Sequence, residues 1–356
     1  MRNKEDIREM LDYLQTTESE ALNFDEDAIA ATFQQNNGQS LPIKILSVFG
    51  GILASCAFLG FLFITGFFDS ETGLLIFGTI CTAGAIWIDK VSDKFIMDTL
   101  SVSSFIIGLI LLGFAFDDIH LGENAIFCIF IVIALGSLAI VRSYILSFIS
   151  VMITNGSILT LIITNDAYDL IHIYVSVLAL MTTYFFLKEA KIITANRGLA
   201  KRYNPIRIGL IFSFLSGLIF LGISYMIDMP LNYIWLSSIV IISAIMYLMP
   251  VLFRILHITK EQHKIGMYVF CLLILLPTAL SPAISGAILI TLLSFRVNYK
   301  TGLALGVIAF IYFISQYYYD LHFTLLTKSI LLFSSGVFFL VLYLLIHQKL
   351  KSDEKI

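Results

Sequence analysis

The sequence predicts an all-α, polytopic integral membrane protein with about 12 transmembrane helices and both termini cytoplasmic. Three observations predict it. Of 356 residues, 58% are hydrophobic and only 13% charged, with a mean hydropathy of +0.92. Soluble domains carry about 25% charge and need a polar exterior, so lipid is the solvent for most of this chain. The apolar residues gather into runs long enough to cross a bilayer. When those runs are threaded back and forth, 21 of the 22 Lys and Arg residues fall on one side. Basic loops face the cytoplasm, so the asymmetry orients the chain.

The first 43 residues are polar and acidic and read as a cytoplasmic amphipathic helical region. Ile7, Met10, Leu11 and Leu14 recur at helical spacing, and Ile29 and Phe33 repeat it more weakly. Asp25, Glu26 and Asp27 suit a helix start, where the dipole favours acid. Asn36-Asn37-Gly38 and Pro42 break the pattern. A secretory signal would place an apolar run near the start, and none is expected here.

The transmembrane domain spans 44–347, followed by a cytoplasmic tail over 348–356. Its first six spans, within 44–187, are placed at 44–67, 72–88, 100–116, 123–141, 143–164 and 169–187. A basic cytoplasmic loop over 188–207 separates them from six more, within 208–347. These lie at 208–227, 231–253, 265–280, 283–297, 301–317 and 325–346. A straight span needs about 20 residues. The ninth and tenth fall short and are interrupted by Pro277 and Pro282, so a re-entrant pair is the alternative to two crossings. The inner side collects Lys90, Lys94, Arg142, the 188–207 cluster ending at Arg207, Arg254, Lys260, Lys264, Arg296 and Lys300. The outer side collects Asp69, Glu71, Asp117, Asp118, Glu123, Asp166, Asp169, Asp228 and Asp320, with Lys328 the one cation among them. Splitting or merging a single run would destroy this alternation.

The last third reads CLLILLPTALSPAISGAILITLLSFRVNYKTGLALG and then YYYDLHFTLLTKSILLFSSGVFFLVLYLLI. Tyr317-Tyr318-Tyr319, the Thr324-Leu325-Leu326 approach and Lys328-Ser329 resemble the C-terminal part of a bacterial membrane family known as domain of unknown function 4401; AIWIDK at 85–90 fits its second span more loosely. The resemblance implies a multi-pass protein of the bacterial inner membrane, and a setting among other membrane proteins that hints at an envelope complex. It implies no activity and no catalytic residues.

The six-and-six layout suits a transporter whose halves meet around a central path, with broken helices near the binding site. No HExxH, Walker or GxSxG motif is present, and no run carries Asp or Glu at its middle. Such carboxylates are costly in hydrocarbon and kept for a task, so proton-coupled transport and intramembrane aspartyl proteolysis lose support. The candidate polar or ligand-binding residues are Lys328, Asp320, Tyr317, Tyr318, Tyr319, Asn155 and Ser157. Lys328 reads either as a cation over an outward cavity, paired with Asp320 and flanked by the tyrosines, or as a snorkelling lysine in an aromatic belt. Asn155, in Thr154-Asn155-Gly156-Ser157, reads either as a ligand contact or as interhelical glue. Gly302 and Gly306 form a small-xxx-small packing pair. His120, His172 and His322 beside the outer carboxylates would form a metal or hydrolytic site only if three separate loops converged. GAIWIDKVSDK departs from the cytoplasmic loop of major facilitator transporters, having the Asp one place too far and lacking the second Gly.

Cys56, Cys81, Cys128 and Cys271 sit inside apolar runs as small hydrophobes. The expectation is a protein with no catalytic residues, metal or cofactor. Its partners are the lipid bilayer, other membrane proteins and an unknown small-molecule substrate, with no nucleic acid. A permease-like transporter of a small solute leads. The alternative is a non-catalytic membrane subunit or scaffold, and an outer-surface enzyme stands third.

Overall fold

A computed structural model describes residues 41–91, 95–195, 197–223, 233–255 and 261–320, with isolated positions between 326 and 340. The amphipathic N-terminal region, Lys328, His322, most of the 325–346 span and the tail therefore lie outside the described residues. Among the described residues there are twelve α-helices and no strand. They are α1 (Leu41–Ile64), α2 (Glu71–Val91), α3 (Phe95–Asp118), α4 (Glu123–Ile140), α5 (Tyr144–Thr164) and α6 (Leu170–Leu187). Then come α7 (Glu189–Ala195), α8 (Arg197–Ile223), α9 (Ile234–Ile255), α10 (Glu261–Leu275), α11 (Pro282–Arg296) and α12 (Lys300–Asp320). By length and composition, eight are able to cross a membrane: α2 to α6, α8, α9 and α12. The apolar part of α1, and α10 and α11, are shorter.

The chain divides into two compact units. One comprises residues up to Ile88 together with Lys94–Leu112. Within it, the α2 segment crosses the α3 segment at two glycines. A Cβ on Gly108 would lie 2.7 Å from the Thr82 backbone nitrogen, and one on Gly78 3.0 Å from that of Leu112. Hydrogen is the only side chain that allows this approach, the usual route to tight helix packing in lipid. Ser104 Oγ donates to the Cys81 carbonyl across the crossing (3.0 Å).

The other unit comprises Asp89–Asp93 and everything from Gly113. α4 and α5 form a hairpin pinned along its length. Asn124 and Asn165 exchange amide hydrogen bonds of 2.8 and 2.7 Å near one end, and Ser137 Oγ meets Ser150 Oγ at 2.7 Å further along. α8 is the central helix. It buries Leu210, Ile211, Phe214, Leu215, Leu218 and Leu221. Its Gly209 abuts Val151 of α5, and its Gly217 abuts Val175 and Tyr174 of α6.

α11 packs against α6, α8, α9 and α12 and is buried over most of its length. Its 15 residues reach about 22 Å at the helical rise, short of the ~30 Å hydrocarbon core. Pro277 opens a 3-10 turn (Pro277–Leu280) that separates α10 from α11. Gly302 and Gly306 of α12 face α11, where a Cβ on Gly306 would meet the Thr291 backbone nitrogen at 2.9 Å. The small-xxx-small pair is thus a packing contact, as its spacing predicts.

One expectation is corrected. The 188–207 stretch is largely helical rather than a loop: Glu189–Ala195 form α7, and the residues from Arg197 form the first turns of α8, which begins there instead of at 208. Lys, Arg, Ala and Leu are good helix formers, and burial of Tyr203 and Arg207 holds these turns in place. Pro205 sits inside α8 and deprives the Lys201 carbonyl of its helical donor, without ending the helix.

Candidate functional site

Arg202, Arg207 and Arg296 of the second unit stand where α4 gives way to α5, α6 passes into α7, and α11 passes into α12. Three guanidiniums meet backbone or side chains there. Arg202 Nε donates to the Val141 carbonyl (2.8 Å), and Arg296 Nη1 to the Phe186 carbonyl (3.2 Å). Arg207 lies deepest. Its Nη1 donates to Glu189 Oε1 at 3.1 Å, and its Nη2 to Asn204 Oδ1 at 2.7 Å.

Aromatic rings complete a cage around Arg207. Its guanidinium carbon lies 3.9 Å from the Tyr299 ring centroid, 5.0 Å from Tyr203 and 5.6 Å from Phe186. Tyr203 is itself fixed, stacked on Phe185 and donating its hydroxyl to the Phe185 carbonyl (3.0 Å). Such cation–ring contacts contribute about 2 kcal/mol when desolvated. They also hold the guanidinium plane in one orientation. The Arg207 side chain is 7% exposed and that of Glu189 28%, so the cation is deep and its carboxylate lies nearer the surface. Arg207 Nε is buried with no hydrogen-bond partner.

A second buried charge lies in the same unit. Asp89, 2% exposed, accepts from the backbone N–H groups of Arg142 (2.7 Å) and Ser143 (3.3 Å) through Oδ2. Ser143 caps α5 by accepting from the Leu146 N–H. The positive helix end thus stabilises the Asp89 carboxylate. A buried carboxylate therefore exists, at the end of an apolar run rather than in its middle.

The sequence-predicted residues fare differently. Asn155 donates to the Val151 carbonyl of its own helix (2.9 Å), and Tyr174 Oη donates to the Asn155 carbonyl (3.3 Å). Asn155 lines a cleft of about 360 Å³ between α5 and α6, whose other walls include Ile158, Ile162, Tyr174 and Leu178. Its rim residues Leu170, Ile173, Val177 and Met181 are exposed and apolar, as on a lipid-facing surface. Ser157 is buried on α5. Tyr317, Tyr318 and Tyr319 stand in the last turn of α12, with Tyr318 and Tyr319 in edge-to-face contact. Asp320 closes the helix, and Lys328 lies outside the described residues.

Two of the three histidines are seen, and they are apart in kind. His172 is fully buried on α6, with Nδ1 3.1 Å from Ser237 Oγ of α9. His120 is exposed in a turn with φ of 57°. Among the described residues no group of three His, Cys, Asp or Glu side chains is placed to hold a metal. The four cysteines are free thiols.

The caged Arg207 escapes a reading by charge alone, because Arg207 looks like one more member of a basic loop. Two signals mark it: it follows a proline inside a helix-forming run, and it opens the apolar stretch of α8.

Residues 40–349, most of the chain, match the family described as Domain of unknown function (DUF4401). No curated protein and no solved structure matches. The pattern of apolar runs, the carboxyl-terminal motifs and this match agree: the chain is a multi-pass membrane protein belonging to the DUF4401 family.

Proposed function

We propose that this protein is a permease-like transporter of a small solute in the bacterial inner membrane, with its basic end cytoplasmic. One observation carries the reading. A buried ion pair, Arg207–Glu189, stands where α6 and α7 meet α8, α11 and α12. Buried charge inside a membrane domain is expensive and is kept for a task. The short, proline-flanked α11 beside it is the kind of broken helix that lines solute paths. In this reading the ion pair closes the path at its cytoplasmic end, and opening separates Glu189 from Arg207.

The test is reconstitution of the full chain into liposomes. Stopped-flow light scattering would follow solute entry across a panel of small neutral, cationic and anionic solutes. Entry of at least one solute well above empty liposomes is expected, and impermeability to all of them would defeat the reading.

A second reading is a non-catalytic subunit or scaffold of an envelope complex. Asn155 favours it, because its amide is spent on its own helix and its cleft is apolar and faces the lipid side. Its signature is a stoichiometric partner retained through purification in mild detergent.

A further inference from the structure

We propose that Arg207 is the floor of an anion site at the basic end, which takes a carboxylate or phosphate group in place of the Glu189 carboxylate. The two members of the ion pair are unequally placed. At 7% exposure the guanidinium cannot reach water, whereas Glu189 at 28% can swing out. A buried guanidinium left without an anion is strongly disfavoured. The departure of Glu189 therefore calls for a replacement of the same chemistry.

The donor set suits such an exchange. Arg207 offers a planar fork matched to two-oxygen anions. Its Nη1 holds one carboxylate oxygen, and its Nη2 donates to the neutral Asn204 amide oxygen. An anion with two or three oxygens can take Nη1 and Nη2 together at the end of the fork, which Glu189, held by Nη1 alone, does not. Tyr299 and Tyr203 keep the fork from turning away. Charge balance points the same way. Arg202 and Arg296 each donate to a backbone carbonyl, and Asp89 accepts backbone N–H groups through Oδ2 rather than meeting a guanidinium. Glu189 is thus the one carboxylate hydrogen-bonded to a guanidinium at this end, among the described residues.

The ligand chemistry has two sources, a soluble anion and a phospholipid headgroup at the cytoplasmic leaflet. The inference rests on the transporter reading only for the purpose of the site. Binding without solute entry would refute permeation and leave the anion site standing, while entry without binding would do the reverse.

The test uses the full chain in lipid-free neutral detergent, titrated calorimetrically with sodium phosphate and with sodium succinate at constant ionic strength set by chloride. A parallel arm measures thermal stability in nanodiscs of phosphatidylcholine with and without phosphatidylglycerol. Glu189→Gln removes the internal competitor, so at least a fivefold gain in affinity is expected. Arg207→Lys loses the fork, so at least a tenfold loss is expected. Arg296→Gln, at a less buried position, lowers affinity several-fold and serves if the Arg207 variant does not fold. Binding in detergent assigns the site to a soluble anion. Stabilisation only by phosphatidylglycerol discs, lost in Arg207→Lys or Arg296→Gln, assigns it to a lipid phosphate. No anion effect in either arm, or a Glu189→Gln protein that binds no more tightly than wild type, overturns the proposal and leaves a structural ion pair.

Discussion

Arg207 and Glu189 form one ion pair but have unequal surroundings, and this inequality sets what each substitution does. Removing one partner of a buried pair costs ~3 to 5 kcal/mol when the other stays buried. Glu189→Ala strands a guanidinium that is 7% exposed, so the cost should approach ~3 kcal/mol. Arg207→Met strands a carboxylate that is already 28% exposed and can hydrate, so about half that is expected. Unfolding in detergent and denaturant would check the order, and equal losses would contradict it. Asn155→Leu should change stability by less than about 1 kcal/mol in the same assay, because the amide bonds only its own helix and Tyr174 uses the backbone carbonyl. Tyr168 gives a pH prediction. Its hydroxyl donates to Asp166 Oδ1 at 2.8 Å in the α5–α6 turn, which raises its pKa above the usual tyrosine value of 10.0. The neutral phenol is the donor, so the bond is present at neutral pH and is lost as pH rises through the elevated value. Difference absorbance of wild type against Asp166→Asn should show one phenol titrating at lower pH in the variant.

Helix contacts here depend on where a side chain is missing. A Cβ on Gly306 would press on the backbone of Thr291, which cannot yield, so Gly306→Ala should push α12 from α11 and cost about 1 to 3 kcal/mol. Gly156 has nothing within 4 Å of the same added atom, so Gly156→Ala should stabilise α5 by about 0.5 to 1 kcal/mol. Melting temperatures of the two variants should move in opposite directions. The spacing of Gly302 and Gly306 made their role legible in advance. The role of α8 was not. Its basic first turns look like a connecting loop in one dimension, and only the burial of Tyr203 and Arg207 against α6 and the α11–α12 connection makes them the start of the central helix.

At the scale of the whole molecule, the twelve-span reading has an even number of crossings and so places both termini on the same side. Reporters fused to residues 1 and 356 should therefore report the same, cytoplasmic, compartment; a split result would remove the twelve-span scheme. Periodicity and charge alternation revealed nearly all the described helices, because a bilayer allows few solutions to the demand that every backbone group be satisfied. The candidate site was less legible. Asn155 and Ser157 were picked out as polar residues in apolar runs, yet the Asn155 amide closes on its own helix. Arg207, Glu189, Tyr203 and Tyr299 come from α7, α8 and the α11–α12 connection, and nothing in their spacing brings them together. The sequence alone thus determined the apolar character of the chain and most of its helices, since each follows from local composition and periodicity. Only the tertiary structure decided which cation is buried and what surrounds it, because burial is set by packing between distant segments and a charge withdrawn from water must find its partners in space.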